Sequence, residues 1–295
     1  MKRSGFLDKI DKQIEFNQDK NIFLENLEIF KFAKETVDVI SKIDKLKPNT
    51  KFSLIDYTTD KAIEEFHRVN QYYSFDIEAR SKLKNIYTDL IDDIQLNKHS
   101  IEDISNRHYE KLRNWIKESN SFAEKIYKNA DEKVTPVACF EYTPELQISI
   151  LKIDINTSIN PFLDIGCGAN GRLVNYLKDR GIDAHGIDRN VIPHSSFETA
   201  DWLEYKYGKD RWGTIVSNLG FSNHFNHHNL REDGNYIEYG KTYMNILQSL
   251  KIGGSFHYAP DLPFIEEFLD YNCFTIAKYD VDKNDFKATV VKRIK

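Results

Sequence analysis

The chain is poor in residues that staple, kink or span. Its three cysteines, Cys139, Cys167 and Cys273, stand far apart and without C-x-x-C spacing in 295 residues. That argues against a disulfide framework or a thiolate zinc site and suits reduced, partly buried thiols. No stretch reaches the roughly 18 uncharged apolar residues that a membrane span requires. The start, MKRSGFLDKIDKQIEF, meets charges too early for a signal peptide. A cytoplasmic protein with no membrane partner is the expectation.

An excess of positive charge is also missing. The formal net charge is −5, with 24 basic against 25 acidic residues before residue 136 and 17 against 21 after it. Proteins that grip nucleic acid draw most of their non-specific affinity from cationic surface. DNA is therefore not expected as a partner. A small-molecule substrate is favoured, with protein or RNA left open.

Glycine and proline are almost absent from the first 129 residues, where Gly5 and Pro48 stand alone. This is helical composition. Ile22, Leu24, Leu27, Ile29, Phe30, Ala33 and Val37, and again Leu83, Ile86, Tyr87, Leu90, Ile91 and Ile94, recur at three- and four-residue spacing between charged residues, the pattern of amphipathic helices. Pro48 to Thr50 and Asn97 to Ser100 read as turns, and a helical run resumes over 101–129. Four to six helices are expected over residues 1–135, as a lid, substrate or interaction domain.

Composition changes at residues 134–144, where Pro136 and Pro144 bracket VACFEYT. Beyond them, β-rich runs at 162–165, 184–187, 214–217 and 255–259 alternate with helical stretches at 173–180, 239–250 and 263–271. Two final β-rich runs, 274–279 and 288–293, flank a polar turn. The alternation predicts a second domain over 136–295: a Rossmann-like α/β sheet, mostly parallel, closed by an antiparallel strand hairpin.

The stretch PFLDIGCGANGR, residues 161–172, places a buried strand before a glycine-rich turn and a helix. Gly166 and Gly168 permit a sharp turn and close approach to a ligand, and Gly171 permits the helix to pack on the strand. On spacing alone this is G-x-G-x-x-G, which admits a dinucleotide such as NAD. Asp164, just before the first glycine, would repel a pyrophosphate but suits an ammonium group. Asp188, ending the next strand, suits a ribose in either ligand.

LDIGCG, the acidic GID at 186–188, the pair Ala200-Asp201 and the terminal hairpin together resemble the class I family of methyltransferases that use S-adenosyl-L-methionine (SAM). The resemblance covers roughly residues 140–295; the helical half matches no family. It implies that Asp164, Gly166 and Gly168 surround the methionine part, Asp188 the ribose, and Asp201 and Trp202 the adenine, with Cys167, Arg189 and Asn218 as further cofactor contacts. Asp201 read alone is equally an N-cap. Tyr142 and Gln147, where such domains often carry a helix over the cofactor, are further contacts on the same ground.

Ligands of open α/β sheets bind beyond the carboxyl ends of the strands, so the segment after 214–217, NLGFSNHFNHH, should face the reaction. It lacks the N/D-P-P-Y/F motif of amino-directed methyltransferases. His224 is the candidate general base, with Asn223 and Asn218 as orienting partners and Phe221 or Phe225 as pocket walls. A metal held by His224, His227, His228 and His194 fits no recognised zinc pattern. Residues 229–236 read as a mobile flap, and Asp261, Glu266, Tyr239 and Tyr243 as candidates to meet a cationic substrate.

The expected activity is methyl transfer to an O or N atom of a small molecule. Three alternatives stay open: transfer of the aminocarboxypropyl group, as in nicotianamine-synthase-like enzymes; methylation of protein or RNA; and a SAM-binding module that acts on a partner without catalysis.

Overall fold

The computed structural model describes residues 3–24, 30–36, 48–96, 99–136, 142–281 and 286–295, with side chains from residue 6 onward and, after Pro48 and Asn49, from residue 50. Cys139 and the expected apolar positions Leu27, Ile29 and Val37 lie outside the described residues. Backbone contacts divide the chain into two units, Met1–Cys139 and Phe140–Lys295, within the stretch where composition changes and a few residues after the expected boundary at 135/136.

The first unit is helical among its described residues. Its helices are α1 (Arg3–Phe16), α2 (Pro48–Val69), α3 (Ile77–Leu96), α4 (Ile101–Ser119) and the short α5 (Phe122–Tyr127). Pro48 opens α2 instead of separating two elements, since its fixed φ and missing N–H cost nothing in a first helical turn. Ser100 caps α4, its hydroxyl accepting from Asp103 N at 3.1 Å, and Asn120 ends the helix. The helical run expected over 101–129 is therefore split. Asn120 instead straps the neighbouring loop, bonding both Ser74 N and Ser74 O.

The stripe around Ile22 to Val37 forms no long helix in its described part. Ile22, Phe23, Phe30 and Ala33 are buried nonetheless, from turns and irregular chain. Asp19 to Asn21 instead pair with Glu132 to Val134, through Val134 N to Asp19 O at 2.8 Å and Asn21 N to Glu132 O at 2.8 Å. The fully buried Asn21 amide adds a bond to Tyr127 O. Both ends of the unit are thus fastened together. Trp115, stacked on Phe75 at 4.7 Å and bonded to Ala79 O, anchors the aromatic core.

In the second unit α6 (Pro144–Ile150) precedes β1 (Phe162–Ile165), α7 (Arg172–Lys178), β2 (Ala184–Asp188), β3 (Phe197–Thr199), β4 (Trp212–Asn218), α8 (Phe221–Asn229), α9 (Tyr236–Ser249), β5 (Leu250–Ala259), α10 (Pro263–Glu266), β6 (Phe274–Asp280) and β7 (Lys287–Arg293). The sheet order is β3-β2-β1-β4-β5-β7-β6. The first five strands in that order run parallel, and β7 runs antiparallel to both β5 and β6. This is the expected Rossmann-like sheet with its terminal hairpin.

β1 is buried along its whole length and β4 along all but its last residue, as in a parallel sheet covered on both faces. The chain runs outward from β1 through β2 to β3, then returns to place β4 on the other side of β1. That reversal opens a crevice at the carboxyl ends of β1 and β4.

Three details depart from the expectation. β3 is a three-residue edge strand with Glu198 and Thr199 exposed, too short for an apolar signature. α10 stops at Glu266. The segment after β4, read as a loop, forms α8. Asn and His are weak helix formers, but Phe221 and Phe225, one turn apart, sit 0% and 2% exposed in the core and hold the helix by packing.

Candidate active site

The crevice is built from the ends of β1, β2 and β4. Gly166 and Gly168 follow β1 with φ of +79° and +76°, a backbone conformation that a side chain would strain. Gly166 N and Cys167 N both donate to Ile187 O, which ties the turn to β2. Gly168 N donates to Asp188 Oδ2 at 3.0 Å, while Asp188 Oδ1 accepts from Asn190 N at 2.8 Å. The Asp188 carboxylate is thereby fixed beside the loop. Arg189 follows it at the strand end and carries its charge near the Tyr239 hydroxyl.

Gly171 opens α7 in the left-handed region, and a Cβ there would lie 2.0 Å from the Phe197 ring. The third glycine is thus required by packing between α7 and β3. Cys167 turns inward: a Cβ on Gly186 would stand 2.7 Å from its Sγ, so its side chain fills the space under the loop. Its contribution at the mouth is backbone only.

Asp164 is 3% exposed. Burial, with Asp188 nearby, pushes its carboxyl up to about 8. A cation placed against it would restore the charged form. At the opposite lip, Asn218 ends β4, and both its Oδ1 and its Nδ2 are enclosed without a hydrogen-bond partner. Buried amides are nearly always paired, so an amide empty on both sides marks a place for a ligand. Ser217 bridges the two lips beneath them, donating to Ile165 O at 2.8 Å and accepting from Phe221 N at 3.1 Å.

The Trp202 indole lies between the lips. Its Cζ3 is 3.2 Å from the Cβ position of Gly166 and 3.8 Å from that of Gly220. The ring stands edge-to-face on His224 at 4.8 Å and on Phe221 at 6.2 Å, and its N–H faces the Tyr239 hydroxyl as donor. Asp201 is exposed and spends Oδ1 on Leu203 N in a turn. It is neither a helix N-cap nor turned into the fold.

His224 is buried within α8, at 4% exposure, against Trp202. Asn223 Nδ2 donates to Leu219 O at 2.8 Å and closes the first turn of the helix. Phe221 and Phe225 pack on Tyr239 in the core and are not free pocket walls. A second histidine, considered in the sequence only as a metal ligand, has a nitrogen to spare. His228 Nδ1 accepts from Asn235 N at 3.1 Å, and the ring is held neutral because burial, with Arg231 and His227 nearby, pushes it down to about 4. Its proton therefore sits on Nε2, which is buried without a partner. Only the fold reveals which ring nitrogen is left over.

The segment expected as a flap makes close local contacts. Gly234 leaves no room for a Cβ, which would lie 1.7 Å from His228 O, and Arg231 pairs with Asp233 at 3.0 Å. No group of three metal-ligating side chains gathers among the described residues. Tyr142 and Gln147 meet each other, Gln147 Nε2 donating to Tyr142 O at 3.0 Å across the first turn of α6.

Glu266 is removed from any substrate role. It accepts from Tyr258 OH at 2.6 Å, Leu262 N at 2.8 Å and Thr289 Oγ1 at 3.0 Å, and pairs with Lys278 at 2.6 Å. Asp261 shares Lys278 at 3.0 Å. Tyr243 bonds Tyr258 within the same network.

No protein-family model matches the chain, and no curated protein matches it. Solved structures do. A TehB-like SAM-dependent methyltransferase from Corynebacterium glutamicum is 18% identical, over 51% of this chain and 88% of its own, with a TM-score of 0.37. The N-methyltransferase NodS from Bradyrhizobium japonicum, in complex with S-adenosyl-L-homocysteine, is 15% identical over 50% and 80%, with a TM-score of 0.34. A putative rRNA methylase from Clostridium thermocellum is 14% identical over 48% and 93%, with a TM-score of 0.32.

Proposed function

We propose that the second unit binds SAM at the β1–β4 crevice and that the protein is a methyltransferase acting on an O or N atom of a small molecule. The observation that carries this reading is the pairing, at one mouth, of a buried carboxyl that lacks its charge with an amide that lacks both partners. An amino-acid head group supplies an ammonium for Asp164 and further polar atoms for Asn218. A pyrophosphate supplies no cation to that carboxyl and would face the neighbouring Asp188 with the wrong sign.

Asp188, already oriented by Gly168 and Asn190, keeps lone pairs for ribose hydroxyls. Cys167 supports the loop from below. SAM, when bound, supplies an activated methyl group on a sulfonium centre. The chain's own part is to align the acceptor and take up its proton. His224, set against Trp202, is the residue proposed for the proton, and the unmet Nε2–H of His228 offers a hydrogen bond to the acceptor molecule.

The balanced to acidic charge of both halves supports a small acceptor over RNA. Calorimetric titration of the full chain with SAM, S-adenosyl-L-homocysteine and NAD tests the cofactor. Micromolar binding of the first two is expected, and binding of NAD alone would overturn the reading. Product analysis then tests the reaction: S-adenosyl-L-homocysteine is expected, whereas methylthioadenosine would point to aminocarboxypropyl transfer.

A further inference from the structure

The first unit contains a partly open cavity of about 230 Å³ that has no part in the reading above. Its wall is mainly apolar, drawn from α1, α2, α3 and α4 and including Ile10, Leu54, Ile55, Leu90 and Ile94. An apolar cavity of about 150 Å³ holds one benzene. Scaled to this volume, the space suits a fused bicyclic ring or a chain of roughly eight to ten carbons.

Three of the four charged side chains at its wall are matched. Asp19 and Glu65 both pair with Arg68, at 2.5 and 2.7 Å, and Lys20 lies over the Phe16 ring at 4.5 Å and bonds Asn17. The fourth, Lys9, is half-buried at the wall of an otherwise mainly apolar space. The amide groups are matched as well, since Asn17 donates to Tyr109 OH, and Gln13 accepts from Ala33 N and donates to Lys31 O.

Two polar atoms of the wall are left over, Thr36 Oγ1 and His108 Nδ1, both enclosed without a partner. His108 is 94% buried, judged from its 6% exposure, among the rings of Tyr87, Tyr109 and Phe32. Burial pushes it down to about 3, so the ring is neutral and offers one acceptor and one donor nitrogen. A core that needed only apolar filling would place no imidazole there, because an unmet buried nitrogen is costly.

We infer that this cavity is a binding site for a small uncharged molecule, aromatic or aliphatic over most of its surface, carrying one hydroxyl or N–H that bonds His108. Such pockets combine an apolar lining with a few placed polar groups. The site is independent of the SAM crevice and stands whether or not that reading holds.

The test uses the full chain with two fluorescent probes that differ by one hydroxyl, 1-naphthol and naphthalene. Saturable binding of 1-naphthol at one site is expected, with naphthalene about three- to tenfold weaker for want of one hydrogen bond. His108→Phe keeps the ring and removes the nitrogens, so it should erase that preference while leaving naphthalene binding within about twofold. Ala62→Phe fills space at the wall and should weaken both probes by about tenfold or more. Absence of saturable binding, a preference that survives His108→Phe, or displacement of 1-naphthol by S-adenosyl-L-homocysteine would overturn the inference.

Discussion

Two carboxyl groups are buried in the same sheet-based unit and live in opposite circumstances. Glu266, at the β5–β7 side, takes three hydrogen bonds and an ion pair. Asp164, at the β1–β4 mouth, is pushed up to about 8 by burial with Asp188 nearby. Asp164 came from the sequence as an acid at a strand end and Glu266 as one in a helical stretch, and both invited a ligand role. Their surroundings separate them: the partners of Glu266 mark a structural acid, and the burial of Asp164 beside a second acid is the basis of the ligand role proposed for it.

The contrast is broken most forcefully at the satisfied end. Glu266→Ala should strip a partner from Tyr258, Leu262, Thr289 and Lys278 together and destabilise the unit by about 2–4 kcal/mol, with Lys278 partly in solvent and so less penalised. Urea unfolding followed by hydrogen exchange at β5 and β7 reads it. Intact protection there would make the network dispensable.

At the other end the sign reverses. Asp164→Asn removes a strained acid, so the ligand-free protein should gain about 1–3 kcal/mol at pH 8, while calorimetry should find SAM binding weakened at least tenfold. A variant that loses stability would place Asp164 among the structural acids. The pH profile sharpens the same point. A carboxyl raised to about 8 binds a proton in the folded state that the unfolded chain has released. Stability of the ligand-free protein should therefore fall as pH rises from about 4 to about 8, beyond the slope of Asp164→Asn.

The smallest effect is expected at Asn218. Leucine matches its size and leaves nothing unpaired, so Asn218→Leu should change stability by no more than about 1 kcal/mol, in the direction of gain, while SAM binding falls by about tenfold. Equal binding would leave the amide without a role.

The sheet was legible because its signals are local. Phe162 to Ile165 is an apolar run ending at a glycine turn, and the hairpin of β6 and β7 alternates around a polar loop. What escaped was decided by tertiary contact. FSNHFNHHN has poor helix propensity and becomes α8 because Phe221 and Phe225 are pulled into the core. Ile22 to Ala33 has helical spacing, yet its described part is held by pairing and burial instead of a long helix.

The site was legible to the same depth. Glycine positions and strand-end acids follow from the motif, but the hydrogen-bond partners that decide each role do not. His224 was visible only as a histidine in the segment after β4. The unmet nitrogen of His228 depends on Asn235, and the commitment of Glu266 on Thr289, 23 residues away.

The indole at the mouth gives the molecule its own optical reporter. Of three tryptophans, Trp115 and Trp212 are 3% and 1% exposed, each with its N–H fixed on a backbone carbonyl, and both supply a steady emission. Trp202 alone stands between Gly166 and Gly220. Light emitted by the unlabelled protein should thus change when the crevice fills, and replacing Trp202 by Phe should remove that change.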